Sequence, residues 1–278
     1  MDFSSIENKL PHDLGLRWSL LLERLSAFQS AVVGFSGGVD SGLLCVAAWR
    51  ALGERMTAVT LRSPVESEGD VASAQRLAAQ TGFSLRVIDF DDLEDEAFVA
   101  NPPDRCYVCK GRRYRFLRDL AAREGYEVVL DGSNFDDLND YRPGQRAIRE
   151  SGIVTPLQDA GFGKTEIRDL SKALGLCVWD RPSAPCLATR FPYGSPISRQ
   201  AIEQISIGER FLRGLGFSSI RIRHYGSLAK IEVAAEEVDR LVSMRQEVLK
   251  FFLTAGFKFA AVDLNGYRQG TLNDEVLK

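Results

Sequence analysis

The sequence is poor in histidine and has no long apolar run. It contains two histidines, His12 and His224, among 278 residues, so a histidine-based metal site is not expected. Every apolar run falls far short of the roughly 20 residues that a membrane-spanning helix requires. The first residues lack a basic segment followed by an apolar one, so we expect no signal peptide. A net charge of −3 gives the chain no general attraction to nucleic acid. We therefore expect a cytoplasmic protein with neither a membrane partner nor a nucleic-acid partner.

Cysteine is also scarce, and its positions argue against a disulfide scaffold, because the five cysteines lie in a chain expected in a reducing compartment. Cys106 and Cys109 form a Cys-x-x-Cys pair. A zinc site would need a second pair of ligands at similar spacing, which the sequence lacks. The pair stays open to a redox role, a structural role, or an iron–sulfur cluster with Cys186 as the third ligand. Cys45 and Cys177 lie in apolar surroundings, so we expect both in the core.

One glycine-rich stretch lies between a predicted buried strand, Ala31–Phe35, and a predicted helix, Leu43–Leu52. Its glycines let the backbone turn sharply and approach a ligand, and its amides lie at a helix N-terminus, which favours an anion. The Asp40 carboxylate would repel phosphate unless Mg²⁺ lies between them. The stretch matches neither Walker A nor Gly-x-Gly-x-x-Gly. It resembles the PP-loop of the ATP pyrophosphatase superfamily, whose members split ATP into AMP and pyrophosphate. The resemblance implies that the nucleotide contacts Ser36, Gly37, Gly38, Val39, Asp40 and Ser41.

Strands and helices alternate over the first part of the chain. We predict further strands at Met56–Leu61, Leu85–Asp89, Glu127–Asp131 and Ile153–Leu157. This order is typical of an α/β protein with a doubly wound parallel sheet, in which ligands bind beyond the carboxyl ends of the strands. Four residues at or after such ends are further candidates for the ATP site: Arg62, Ser63, Gly132 and Asp137.

The order of elements later becomes helix, strand, strand, helix, strand. We therefore predict a PP-loop domain at 1–180 and a smaller C-terminal α+β domain at 197–278, in which one helix covers Glu236–Ala255. The stretch 181–196 joins them. It contains four prolines, which make an extended and stiff linker.

This linker carries Cys186 between Arg181 and Arg190. The thiolate is the reactive form of cysteine, and nearby cations lower the pKa of a thiol. Cys186 is therefore a candidate catalytic residue, as is Asp40 in its role as a ligand of Mg²⁺.

Five segments together resemble the LarE family of ATP-dependent pyridinium-3,5-biscarboxylic acid mononucleotide sulfurtransferases. These segments are Ser36–Ser41, Asp131–Asp137, Asp140–Gly144, Arg181–Gly194 and Gly266–Gly270. The resemblance covers nearly the whole chain. It implies that the enzyme adenylylates each carboxylate of a pyridinium mononucleotide, that sulfur then displaces AMP to give a thiocarboxylate, and that the product feeds the nickel-pincer nucleotide cofactor of lactate racemase.

The resemblance also bears on the source of sulfur. In one type of member, the cysteine that matches Cys186 gives up its own sulfur and becomes dehydroalanine. This sequence departs from that type by carrying Cys106 and Cys109. It is similar to three-cysteine members, in which a [4Fe–4S] cluster on Cys106, Cys109 and Cys186 carries the sulfide. The resemblance therefore favours the cluster, implies sulfide or another sulfur donor as a partner, and implies a trimeric or hexameric homo-oligomer.

A substrate with a phosphate and two carboxylates needs a basic pocket. Arg221 and Arg223 alternate along one predicted strand, so both face the same side, and guanidinium groups suit phosphate. In the family these positions, together with Glu209 and Glu232, are associated with the substrate region, and Arg190 near Cys186 completes the predicted set. An alternative for these charged residues is a solvated strand face with exposed ion pairs.

Three other functions are compatible with a PP-loop. A tRNA thiolase also joins this loop to a Cys-x-x-Cys pair, but it would need a broad basic surface that a net charge of −3 does not provide. A synthetase such as NAD synthetase would leave the three cysteines without a role. A nucleotide- or redox-sensing module without activity would release no pyrophosphate, and an intact loop argues against it.

Overall fold

The computed structural model describes residues 10–67, 69–138, 143–182 and 185–268. Over these residues the chain divides into two compact units. The first consists of 10–63, 69–90 and 106–182, and the second of 64–67, 91–105 and 185–268. The second unit thus includes two short segments from the range 1–180 that the sequence analysis assigned to the first domain.

Seven strands and eleven α-helices are formed by the described residues. The strands are β1 (Ala31–Gly34), β2 (Met56–Arg62), β3 (Leu85–Asp89), β4 (Val128–Leu130), β5 (Arg221–Tyr225), β6 (Leu228–Glu232) and β7 (Phe259–Val262). The helices are α1 (His12–Ser26), α2 (Val39–Leu52), α3 (Asp70–Thr81), α4 (Glu96–Val99), α5 (Arg105–Glu124), α6 (Pro143–Glu150), α7 (Pro156–Asp159), α8 (Lys164–Ala173), α9 (Arg199–Gly214), α10 (Val238–Ser243) and α11 (Arg245–Thr254).

A parallel sheet in the order β3-β2-β1-β4 forms the centre of the first unit. Side chains of β1 alternate between its two faces. Ala31 and Val33 pack into a core with residues of α1, α2, α3 and α8. Val32 packs into a second core with residues of α5 and α6. Helices therefore cover both faces, and the predicted doubly wound α/β fold is confirmed.

The predicted strand Ile153–Leu157 is wrong. Only Val154 pairs with the sheet, through a single parallel bridge to Leu130. Pro156 then begins the short helix α7. Its ring removes the N–H that a strand would use, while its fixed φ suits the first position of a helix.

The two cysteines that we assigned to the core differ. Cys45 is buried as predicted, and burial raises the pKa of its thiol well above the usual value. Cys177 is exposed, so the prediction for it is wrong. It lies between Leu176 and Val178, which are both buried, and its side chain points outward.

A three-stranded sheet in the order β5-β6-β7 forms the second unit with α4, α9, α10 and α11. β5 and β6 form an antiparallel hairpin, and β7 runs parallel to β6. The smaller α+β region predicted near the C-terminus is therefore confirmed. The helix predicted over Glu236–Ala255 is instead divided, because the backbone of Met244 leaves helical geometry between α10 and α11.

No helix within the described ranges has both the length and the apolar character that a membrane span requires.

Candidate functional site

The loop between β1 and α2 is shaped by its own hydroxyl groups. The hydroxyls of Ser36 and Ser41 lie 3.0 Å apart, and the Ser36 amide donates to Ser41 Oγ at 3.3 Å. Gly38 precedes α2 with extended backbone angles, and no side chain in the described ranges caps this helix end. The amides of the first turn are therefore available to an anion, as the helix dipole favours.

Two glycines let other segments approach this loop closely. Gly37 has a φ of +78°, and a Cβ there would lie 2.3 Å from the carbonyl oxygen of Asp70. Gly132 follows β4, and a Cβ there would lie 2.7 Å from both Cα and N of Ser41. Any side chain at either position would push the loop away from its neighbours, so glycine is required at both.

Asp40 has a cationic partner that the sequence analysis did not identify. The ammonium group of Lys164, the first residue of α8, lies 2.7 Å from both carboxylate oxygens of Asp40. The Lys164 amide donates to Asp136 at 2.7 Å, and Asn134 donates a longer bond of 3.3 Å to Asp40. The arrangement brings one ammonium group and two carboxylates together near the loop, and these groups suit the binding of a phosphate with its metal ion.

The other candidates for the ATP site lie at the carboxyl edge of the same sheet. Arg62 is exposed and binds Asp89 through two hydrogen bonds of 2.5 and 2.9 Å. Ser63 is buried. Asp137 accepts a hydrogen bond from the Asn134 amide at 3.1 Å, which fixes the turn after β4. Arg142, which belongs to the family segment Asp140–Gly144, lies outside the described residues.

Cys106 and Cys109 lie one turn apart at the start of α5. Cys106 is exposed, Cys109 is half-buried, and no disulfide links the cysteines of the described ranges. Nor do any three histidine, cysteine or acidic side chains in the described part of the chain form a group that could hold a metal ion.

In the second unit, the backbone around Cys186 is fixed by Arg190. The Arg190 guanidinium donates to the carbonyl oxygens of Pro185 at 2.8 Å and Cys186 at 3.2 Å. It also forms a two-pronged ion pair with Glu209 at 2.8 and 2.9 Å, and both side chains are buried. Arg190 and Glu209, which we predicted to bind substrate, thus position the segment that carries Cys186.

Arg223 and Glu232 form a second buried ion pair, with Nε 3.0 Å from both carboxylate oxygens. Lys230 contacts Glu232 at 3.0 Å and Asp263 at 2.9 Å. Burial lowers the pKa of the Lys230 ammonium, but its bonds to Asp263 and Glu232 outweigh this effect, so its pKa is raised and its charge is secured. These charges are therefore neutralised within the unit.

Arg221 differs from these cations. It is half-buried, stacks 4.8 Å from the ring centre of Tyr267 and forms no ion pair with any residue of the described ranges. Burial and the nearby charge of Arg190 lower the pKa of the Arg221 guanidinium. An anion bound here would relieve both effects, so Arg221 is the strongest anion-binding candidate of the predicted substrate set.

Sequence reasoning missed several residues that the fold brings to the PP-loop, among them Lys164 and Arg181. Lys164 begins α8 directly after Gly163. Arg181 was assigned to the surroundings of Cys186, whereas its guanidinium donates to the Gly37 carbonyl oxygen at 2.5 Å.

Known proteins with similar sequences include a family that contains this loop. A family model described as NAD synthase matches residues 22–104, which include the loop and α2. An uncharacterized protein of Synechocystis sp. is 37% identical over 263 residues, which cover 92% of this chain and 98% of that protein. A pyridinium-3,5-bisthiocarboxylic acid mononucleotide synthase of Lactiplantibacillus plantarum is 35% identical over 266 residues, covering 95% and 96%. An uncharacterized protein of Methanocaldococcus jannaschii is 33% identical over 237 residues, covering 85% and 90%.

A parallel α/β sheet with an intact PP-loop at its carboxyl edge defines a PP-loop enzyme that uses ATP. Similarity to the Lactiplantibacillus synthase extends over nearly the full length of both chains. The chain therefore belongs to the LarE family of ATP-dependent sulfurtransferases, and the family predicted from its sequence is confirmed.

We expect Gly132→Ala to lower the free energy of unfolding by about 1–3 kcal/mol, because the new methyl group overlaps the backbone of Ser41. Chemical denaturation measures this change, and ATP affinity should fall in the same variant. Gly111→Ala is the matched control, since no atom lies within 4 Å of its Cβ position. Wild-type stability in Gly132→Ala would contradict the close approach of β4 to the loop.

Lys164→Met should raise the KM for ATP roughly tenfold or more, because the Asp40 charge is then left beside the phosphates without this cation. Steady-state pyrophosphate release at varied ATP measures the effect. Lys172→Met, on the same helix, removes a lysine that stacks on Trp179 instead and should leave the KM unchanged. An unaltered KM for ATP in Lys164→Met would show that this lysine has no part in nucleotide binding.

Proposed function

We propose that this enzyme converts the carboxylates of pyridinium-3,5-biscarboxylic acid mononucleotide to thiocarboxylates, as a step in the biosynthesis of the nickel-pincer nucleotide cofactor. The observation that carries the proposal is the full-length similarity to a synthase of the bisthiocarboxylic product, combined with an intact PP-loop. We further propose that the enzyme is cytoplasmic and acts as a trimer or hexamer.

The first step forms an acyl adenylate. A substrate carboxylate oxygen attacks the α-phosphorus of ATP, the bond between the α- and β-phosphates breaks, and pyrophosphate leaves. A carboxylate is a poor electrophile, and adenylylation gives it a good leaving group. The amides at the start of α2 and the hydroxyls of Ser36 and Ser41 would bind the departing pyrophosphate, while the Lys164 ammonium would balance its charge.

Mg²⁺ fits this part of the protein. Asp40 and Asp136 supply the oxygen ligands that Mg²⁺ prefers, and a hard cation between Asp40 and the phosphates would remove their mutual repulsion. The Lys164 ammonium binds the Asp40 oxygens, and this ion pair supports the proposal that the carboxylate can hold a cation.

Arg221 would bind an anionic group of the mononucleotide. Two neighbouring arginines, Arg190 and Arg223, are already held by Glu209 and Glu232. Arg221 has no ion pair with any described residue, and a guanidinium group suits a phosphate or a carboxylate through two hydrogen bonds.

In the second step, sulfur attacks the carbonyl carbon of the adenylate. A carbon–sulfur bond forms, the carbon–oxygen bond to the phosphate breaks, and AMP leaves. We propose that the sulfur comes from a [4Fe–4S] cluster held by Cys106, Cys109 and Cys186. The donor types fit, since thiolates are the usual cluster ligands and the spacing of Cys106 and Cys109 puts both on one face of α5. When bound, the cluster would supply an iron site for exogenous sulfide.

Arg221→Met should raise the KM for the pyridinium mononucleotide by roughly 10- to 100-fold, because a charged hydrogen bond to the substrate is lost. The KM for ATP should stay within about twofold. Steady-state pyrophosphate release, at varied mononucleotide and at varied ATP, measures the two KM values. Arg240→Met is the control, since Arg240 also stacks on an aromatic ring, Phe217, but is ion-paired with Glu237. An unchanged KM for the mononucleotide in Arg221→Met would remove Arg221 from the substrate site.

Anaerobically purified protein should contain about four iron atoms per chain, with matching acid-labile sulfide. Cys106→Ala should lose this iron, while Cys177→Ala, which removes another exposed cysteine, should keep it. Metal analysis and the visible absorption spectrum measure the outcome. If anaerobic reconstitution gives no iron, the cluster is ruled out. Cys186 would then be a single-use donor, and the intact mass would show the loss of its sulfur after turnover.

A further inference from the structure

One guanidinium group joins the PP-loop to the start of α3. Arg181 Nη1 donates to the carbonyl oxygen of Gly37 at 2.5 Å, and Nη2 donates to Asp70 Oδ1 at 2.5 Å. Asp70 is buried, and less than a fifth of the Arg181 side chain is exposed. Such charge-assisted bonds in a partly buried setting are among the stronger polar contacts in proteins.

The Gly37 carbonyl is held from two directions. Besides Arg181, the buried hydroxyl of Ser73 donates to it at 2.9 Å. A peptide bond is planar and trans, so a carbonyl that points one way forces the N–H of the next residue to point the other way. The Gly38 amide is accordingly directed to the side of the loop where it lies 3.4 Å from Ser36 Oγ. That side carries the paired hydroxyls of Ser36 and Ser41.

The loop needs such an external restraint because of its own sequence. Two adjacent glycines have access to both signs of φ, so rotation of the Gly37–Gly38 peptide costs them little. Rotation would turn the Gly38 amide away from a bound phosphate and present a carbonyl oxygen instead. A carbonyl oxygen repels an anion, so the affinity for phosphate falls in proportion to the fraction of the protein that keeps the unrotated peptide.

Arg181 is itself held in place. The Arg168 guanidinium, on α8, donates to the carbonyl oxygens of Trp179 and Arg181 at 2.9 Å each. The backbone from which Arg181 reaches the loop is therefore fixed, and the entropic cost of ordering the Arg181 side chain is reduced.

We propose that Arg181 is a positioning residue for ATP binding and pyrophosphate release. It sets the orientation of the Gly37–Gly38 peptide so that the Gly38 amide faces the phosphates, and Asp70 orients its guanidinium group. This inference rests on the ATP half of the proposed function and is independent of which acid is activated.

The test compares Arg181→Met, Arg181→Lys and Asp70→Asn by titration calorimetry with ATP in the absence of the pyridinium substrate. Arg181→Met should weaken ATP binding by about 10- to 100-fold, as expected for the loss of a charged hydrogen bond. The ATP affinity of Arg181→Lys should lie between those of Arg181→Met and the wild type, since an ammonium can keep one of the two bonds. Asp70→Asn should weaken binding by less than Arg181→Met, because the bond to Gly37 remains.

Hydrogen exchange of the Gly38 amide supplies a readout that a purely structural role would not move. With AMP and pyrophosphate bound, the wild type should protect this amide, and Arg181→Met should not, although its thermal unfolding remains cooperative. Arg86→Met is the control, since it removes a more exposed arginine–carboxylate pair, with Glu124, away from the loop.

Wild-type ATP affinity and Gly38 protection in Arg181→Met would overturn the inference. Loss of ATP binding in Asp70→Asn to the same extent as in Arg181→Met would also overturn it, because the ion pair and not the bond to Gly37 would then be responsible. A failure of the substrate assignment would leave these measurements unchanged, since no pyridinium compound is present.

Discussion

The PP-loop can form only because its neighbours approach its backbone without intervening side chains. A Cβ at Gly37 would overlap the Asp70 carbonyl, and a Cβ at Gly132 would overlap the backbone of Ser41. The loop, the start of α3 and the turn after β4 must therefore assemble together. The two apolar cores on either side of β1 bring these segments together, because they fix the strands that end there. Burial of apolar side chains thus determines the geometry in which the backbone amides of the loop are presented.

Buried ion pairs in the second unit orient the backbone more than they stabilise the fold. Arg190–Glu209 and Arg223–Glu232 are buried pairs, and taking both charges out of water offsets most of their attraction, so they are weak sources of stability. Their value lies in orientation, since Arg190 holds the carbonyls of Pro185 and Cys186. Among the described residues, the same pairing leaves Arg221 without an ion pair, which supports its proposed role in binding a substrate anion. Beside the PP-loop, Lys164 is paired with Asp40.

Local sequence was sufficient to predict the features of the fold that depend on residues adjacent in the chain. Strand, glycine turn and helix around Ser36–Ser41 follow from apolar runs and glycines, and the family segments gave the enzyme class. Local sequence was insufficient to predict contacts between residues that are far apart in the chain. Arg181 is 144 residues from Gly37, and Lys164 is 124 residues from Asp40, so no spacing rule joins them. The exposure of Cys177 likewise depends on which of its neighbours turn inward.

Isotope transfer tests most directly the claim that ATP activates a substrate carboxylate as its adenylate. Pyridinium-3,5-biscarboxylic acid mononucleotide labelled with ¹⁸O in its carboxylates would be incubated with ATP and a sulfur donor, and the products analysed by mass spectrometry. Attack of the carboxylate on the α-phosphorus followed by displacement by sulfur predicts one ¹⁸O in AMP for each thiocarboxylate formed, and none in pyrophosphate. Thiocarboxylate formed without label in AMP, or label found in pyrophosphate, would contradict the account.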